Sequence, residues 1–490
     1  MWQDFIAHHA LMRAEHRSLV DRQSGRHFTY GQLHAEINRL ARHLMQLGVG
    51  EGDRVVLLAP SRVEHITLFF ACVRIGAILV PLNHRLADLE IAAILTDLEP
   101  KLLLGDRPGF IDLATLNQSV PPLPLPEIPI SLDRVLMILY TSGSSGTPKG
   151  VMFHAGMIRA NIDNTLSADV LRAEDVSIVN TPFFHTGGYH VFCLPMLCVG
   201  GTLILHERFD AGWVLEAIRT AGVTVFWAVP TMFQAMFDHP DFSNTDFSRI
   251  RFLLSGGAPL SLALIQGYHR RGVPFKQGFG LTEVGPNCFL LQTDEAPLHP
   301  DSIGRPMRNS DVRVVDESGH PVATGEVGEM WIAGAHVCQG YWRNETLFAA
   351  CMHDGYFATG DLVRVDAEGL FYVIGRKKEM YISGGENVYP GEVERQLATH
   401  PHVVQVVVVG VPDPKWGEVG LAWCVIRAPL DLAEIRAFLD PRLARYKHPL
   451  QARFIEAMPL LANGKIDRPT LKRWGLEIFS GKDDKILTSV

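Results

Sequence analysis

Short apolar runs alternate with helical patterns from the N-terminus to about residue 300. This alternation predicts an α/β fold class, a large N-terminal domain of βα sheets. Two changes of texture divide the rest. From about residue 302, VRVVDESGHPVATGEVGEMWIAG and LFYVIGR read as strands joined by glycine-rich turns, a β-rich subdomain closing the large domain. After Gly375, VVQVVVVGVPD, LAWCVIRA and LAEIRAFLD read as a small, separate α+β C-terminal domain.

The elements follow in order. Leu33, Ile37, Leu40, Leu44 and Leu47 recur at helical spacing within residues 30–48, and Gly48 is the expected stop. DRVVLLAP predicts a buried strand over residues 55–58. ITLFFACVRIGAILVPL is broken by Arg74 and Gly76 and is too short for a membrane span, so it reads as a buried helix and strand. KLLLGD, VLMILY, TLILH, VTVFWAVP and IRFLLSGG continue the strand series. Five prolines in residues 118–130 make an extended connector. SGKDDKILTSV reads as a frayed tail.

A length of 490 residues fits on the order of two to four domains. Hydrophobic content of 47% and charged content of 20% belong to a soluble globular chain. Forty-five basic against 53 acidic residues give a net charge of −8, which speaks against nucleic acid as the main partner. The closest cysteines, Cys193 and Cys198, lack a second pair to complete a zinc site. The sparse, odd cysteine set and the absence of a secretory layout at the N-terminus predict a cytoplasmic chain without a transmembrane segment.

Chemistry gathers first in YTSGSSGTPKG, residues 140–150. Glycines let backbone N–H groups converge on an anion, hydroxyls add donors, and lysine supplies charge. Composition alone serves a mobile surface loop equally well. A nucleoside-triphosphatase P-loop is excluded: counting from Gly143, its second glycine falls on Pro148, and Lys149 precedes Gly150 rather than a hydroxyl. GFGLTEVG fails as a dinucleotide fingerprint, because the third glycine falls on Glu283.

PFFHTGG (182–188), LLSGGAPL (253–260), GFGLTE (278–283), YFATGDL (356–362), GRKKEMYISGGENVYPGEVE (375–394) and NGKIDR (463–468) follow the loop. In this order they resemble the adenylate-forming superfamily of acyl-CoA synthetases, peptide-synthetase adenylation domains and luciferases. The resemblance implies that a carboxylate attacks the α-phosphorus of ATP to give acyl-AMP and pyrophosphate, and that a thiol then takes the acyl group and releases AMP. It also implies ATP, Mg²⁺ and coenzyme A as cofactors, a large domain over 1–376 and a mobile small domain over 377–490.

Carried over residue by residue, it assigns Thr141, Ser142, Gly143, Ser144, Ser145, Gly146 and Lys149 to the outgoing phosphates. Thr282 goes to the α-phosphate and Glu283 to Mg²⁺, with Thr141 beside it. Gly257, Ala258 and Pro259 form one wall of the adenine slot, with Gly278, Phe279 and Gly280 opposite. Phe279 stands where many relatives have tyrosine, so a hydroxyl is missing. Asp361 and Arg376 reach the ribose, and Lys465 bridges carboxylate and α-phosphate. Lys378 lies at the hinge, and Gly384 and Gly385 lie beside the pantetheine arm. His185 stands near the acyl group, where a packed core histidine is the equal alternative.

The expected function is an acid–CoA ligase acting on a medium or longer fatty acid. An aryl acid, or loading of a separate carrier protein, is the alternative. Retention of Lys149, Glu283, Asp361, Arg376 and Lys465 argues against a silent scaffold. No acidic residue stands between positions 226 and 237 to hold an amino group, and Phe183, Phe184, Phe226, Trp227, Met232 and Phe233 are expected to line an apolar pocket. Monomer and homodimer stay open.

Overall fold

The structure, a computed structural model, describes residues 2–117, 124–125, 128–141, 148–168, 170–258, 260–461 and 465–479. The chain forms two compact units, one of residues 1–312 and 331–358, the other of 313–330 and 359–490.

In the first unit, a sheet orders the strands Leu102–Gly105, Arg54–Leu58, Ile78–Pro81, Val135–Thr141 and Lys149–His154. The first four run parallel and the last turns back antiparallel. A second sheet carries parallel strands Phe275–Leu281, Phe252–Gly256, Val225–Ala228, Val176–Val179, Thr202–Leu205 and Arg17–Asp21. One core gathers a face of each sheet: Val55, Leu57 and Leu79 from the first, and Leu203, Leu205, Val225 and Trp227 from the second. Alternation sends Ile204, Phe226 and Ala228 to a separate core on the other face. Because both faces are covered, these strands read as unbroken apolar runs.

The predicted helix over 30–48 is the helix Tyr30–Gln46. Thr29 accepts from Gln32 N, and the Gln32 side chain accepts from the Thr29 backbone, a reciprocal cap. Leu47, expected on its apolar face, is instead the exposed C-cap residue. The ITLFFACVRIGAILVPL segment is the helix Val63–Arg74 and the strand Ile78–Pro81. Among the described residues no helix is long and apolar enough to cross a membrane. Most of the proline-rich connector and the C-terminal tail lie outside the described residues.

In the second unit, the later part of the strand Tyr356–Val365, from Asp361 on, pairs antiparallel with Phe371–Arg376. This hairpin ends at Arg376, where the sequence expects the large domain to end, whereas the second compact unit already takes in residues from 359. A further sheet orders Glu386–Val388, Tyr381–Ser383, Gly417–Ile426 and Val403–Asp413. Val408 and Ala422 face one core with Val393 and Ile435, while Val407, Val409 and Val411 face another with Leu471. Helices on both sides explain the run VVQVVVVGVPD.

Candidate active site

Thr141 ends one strand of the first sheet and Lys149 begins the next, and the two are register partners. The phosphate-loop candidates therefore hang from a fixed β-pair. Ser142, Gly143, Ser144, Ser145 and Gly146 themselves lie outside the described residues. Thr141 Oγ1 is buried with no hydrogen-bond partner among the described residues.

Lys149 Nζ donates to Glu283 Oε1 at 2.7 Å. It also donates to the Tyr341 hydroxyl at 2.6 Å, and that hydroxyl donates to the same Glu283 oxygen at 3.0 Å. Glu283 is buried, on a single 3₁₀ turn between Phe275–Leu281 and Gly285–Leu291. The turn needs glycine on its approach. A Cβ on Gly280 would lie 2.4 Å from the Gly285 carbonyl oxygen and from Pro286. Tyr341 escaped the sequence reading, since GYW in QGYWRNET carries no local sign of a contact so far along the chain.

Gly257 has φ +84°, a left-handed conformation that only glycine adopts without strain. Gly257 and Ala258 are exposed, and Phe279 is half-buried against Phe289. Pro259 lies outside the described residues. Gly278 pairs with Gly256, and Thr282 is half-buried beside Glu283. His185 caps the short helix Thr186–His190, its ring 4.6 Å from that of Phe184.

The expected aromatic pocket is corrected in part. Phe226 and Phe233 are fully buried in the core behind the second sheet, edge to face at 5.8 Å, and Met232 packs against that core. Phe183 is sealed against His65. Strand alternation leaves Trp227 on the opposite face. A Cβ on Gly187 would come within 2.6 Å of Trp227 Cζ2. Two open grooves of about 350 and 500 Å³ lie along the end of the helix Ala155–Ser167, beside Arg305 and Arg308, and no candidate residue lines them.

In the second unit Asp361 faces Arg376 across the hairpin, with Arg376 Nε 2.6 Å from Asp361 Oδ1. Asp361 is 3% exposed at its side chain and Arg376 41%, so the carboxylate is sheltered and its partner is not. Thr359 Oγ1 accepts from the Asp361 backbone at 3.0 Å. Lys378 is exposed in the turn after this strand, while its neighbour Lys377 pairs with Glu329.

Gly384 and Gly385 form the two-residue turn between Tyr381–Ser383 and Glu386–Val388, with φ +63° and +89°. Left-handed φ at both positions defines a hairpin turn that favours glycine. A Cβ on Gly384 would also lie 2.9 Å from Trp416 Cε3. The turn therefore accounts for both glycines on its own.

Lys465 closes a second hairpin, where Leu461 N donates to its carbonyl at 2.7 Å. Asn463 and Gly464 lie outside the described residues. Protein crowding and then the Arg376 charge push the Lys465 pKa below the ordinary lysine value, with Asp361 acting the other way. The side chain is nonetheless exposed, and water reaching it limits that shift.

In the first unit a half-buried lysine pairs with a buried carboxylate, and in the second a sheltered acid pairs with an arginine; each is a set of charged groups suited to binding an anion or a polar substrate. Comparison with known proteins agrees. The AMP-binding enzyme family model matches residues 6–342, and the AMP-binding enzyme C-terminal domain matches 392–465. The chain belongs to the AMP-binding enzyme family. It is 40% identical to a feruloyl-CoA synthase of Amycolatopsis sp, over 92% of this chain and 95% of that one. It is 34% identical to a long-chain-fatty-acid–CoA ligase of Mycobacterium tuberculosis, over 91% and 92%. The o-succinylbenzoate CoA synthetase from Bacillus subtilis, solved with ATP and magnesium, superposes with a TM-score of 0.87 at 29% identity, covering 96% of this chain and 100% of that one. The protein is an AMP-forming acyl-CoA synthetase that uses ATP, Mg²⁺ and CoA.

Proposed function

We propose that this synthetase acts on an apolar carboxylic acid, with flat aryl acids ahead of long straight chains. The observation that carries the preference is Trp227. Its indole fills the space that a side chain at Gly187 would occupy, beside the His185 turn. A ring can stack on such a face, while a long chain has little room to run past it. The 40% identity to a feruloyl-CoA synthase supports the same order. This reverses the preference for a fatty acid drawn from the sequence, which counted Phe226, Met232 and Phe233 as lining. A straight-chain acid is the second reading, supported by the uncharged stretch 226–237 and by the mycobacterial relative.

The residues present fit the nucleotide and its metal. In the first unit Lys149, Thr141 and the loop residues hold the outgoing phosphates, where the orphaned Thr141 Oγ1 gains a partner. Glu283 would hold Mg²⁺, a hard cation suited to carboxylate and phosphate oxygens, which offsets the charge of the reacting anions. Gly257, Ala258 and Phe279 offer a flat, partly apolar wall to adenine, and Thr282 stands by the α-phosphate. In the second unit Asp361, an acceptor while ionised, suits a ribose diol, and Arg376 pairs with it. Lys465 draws carboxylate and α-phosphate together, a task for a compact ammonium. Adenylation brings two anions together, so positioning and charge carry most of the rate.

The test is kcat/KM for AMP release with ATP and CoA over cinnamate- and benzoate-type acids beside a straight-chain series. Turnover highest with the aryl acids is expected. A steady rise with chain length beyond them would restore the fatty-acid reading, and fast turnover of an amino acid would overturn the apolar pocket.

A further inference from the structure

Tyr341 lies far along the chain from both Lys149 and Glu283, yet it is built into each. Its segment is zipped to the lysine strand: Met152 N donates to the Gly340 carbonyl at 3.0 Å and Trp342 N to that of Gly150 at 2.7 Å. The same segment holds the glutamate turn, with Cys338 N donating to the Glu283 carbonyl at 2.7 Å. The ring is 1% exposed and packs edge-on against Phe348 at 5.6 Å, so the hydroxyl is aimed by rigid contacts.

The proton balance at that hydroxyl is determined. An ammonium only donates, so the phenol oxygen accepts from Lys149 and its single proton goes to Glu283. Both donors fall on Glu283 Oε1, and Oε2 receives none among the described residues. From this arrangement we infer that Tyr341 is a positioning residue for the metal and phosphate half of the site. It holds Oε1 so that Oε2 stays directed to the cation, and it keeps that hold when a phosphate draws Lys149 away.

The inference rests on the reading of Glu283 as the Mg²⁺ ligand. Glu283 Oε1 has two donors in the resting arrangement, so Lys149 can turn to a phosphate without leaving that oxygen bare. Tyr341 supplies the second donor. Without it, the lysine and glutamate close on each other, and the phosphate must compete with an undivided ion pair.

The test uses the full-length protein and its Tyr341→Phe variant, which retains the ring packing. Mn²⁺ binding in the presence of a non-hydrolysable ATP analogue, followed by electron paramagnetic resonance of the free ion, should weaken roughly ten-fold or more, as for a lost bond to a charged group. KM for MgATP should rise in parallel, while thioester formation from synthetic acyl-AMP and CoA stays within about two-fold of wild type. Glu283→Gln serves as the control. If it loses Mn²⁺ and Tyr341→Phe binds like wild type, the positioning role is overturned and the metal reading stands. If Glu283→Gln also binds like wild type, the metal reading falls and takes this inference with it. Equal loss of both half-reactions with a lowered Tm would assign Tyr341 to the fold alone.

Discussion

Lys465 is one ammonium at the end of a tight hairpin, and removing it should separate two chemistries. In Lys465→Ala, acyl-AMP formation is expected to fall roughly a hundred-fold or more, the scale of losing a group that stabilises transition-state charge. Conversion of pre-made acyl-AMP and CoA should continue at close to the wild-type rate. Comparable adenylation in mutant and wild type would take Lys465 out of the mechanism. Trp227 gives a second expectation at this scale. Trp227→Leu should open the face beside Gly187, and each further CH₂ of a straight-chain acid should then gain up to about 0.8 kcal/mol. An unchanged chain-length profile would show that the indole does not limit the acid. The motif residues stand out in the sequence because each sits in a short, ordered signature. Tyr341 does not, since its significance lies in a three-way contact with Lys149 and Glu283 across the chain. Phe226 and Phe233 were misplaced because composition alone does not tell which face of a strand or of a helix a ring occupies.

At the scale of elements, turns decide more than strands do. Gly384→Ala should cost roughly 1 kcal/mol or more, because φ +63° and the contact with Trp416 both oppose a side chain. Denaturant unfolding measures it, and wild-type stability would remove the turn argument. Lys378→Pro tests the exposed turn after Phe371–Arg376. Fixing φ there should leave adenylation largely intact while thioester formation collapses, if this turn is the moving joint. Equal loss of both steps in a folded variant would make the position structural. The strands themselves were readable from runs such as VVLL and TLIL, and the Tyr30–Gln46 helix from its apolar spacing. Its end was not, because Leu47 fits the spacing and still donates to the His43 carbonyl, yet stands exposed as the C-cap just before Gly48 with φ +78°.

At the scale of the whole molecule, the sequence order of motifs divides between two units. Thr141, Lys149, Glu283 and Tyr341 belong to the first, and Asp361, Arg376, Lys378 and Lys465 to the second. The sequence placed its boundary at 376 because the hinge motif begins there. Packing groups the Asp361 hairpin with the C-terminal unit, since its two strands form one ladder through Arg376.

The central claim is that one chain runs two separable half-reactions on an apolar acid. The most direct measurement is acid-dependent exchange of labelled pyrophosphate into ATP without CoA, followed by AMP release when CoA is added. Exchange should appear with an aryl acid such as a cinnamate, be absent without acid, and give way to stoichiometric AMP and thioester once CoA is present. Exchange with no apolar acid of either class, or AMP release that needs no thiol, would contradict the account.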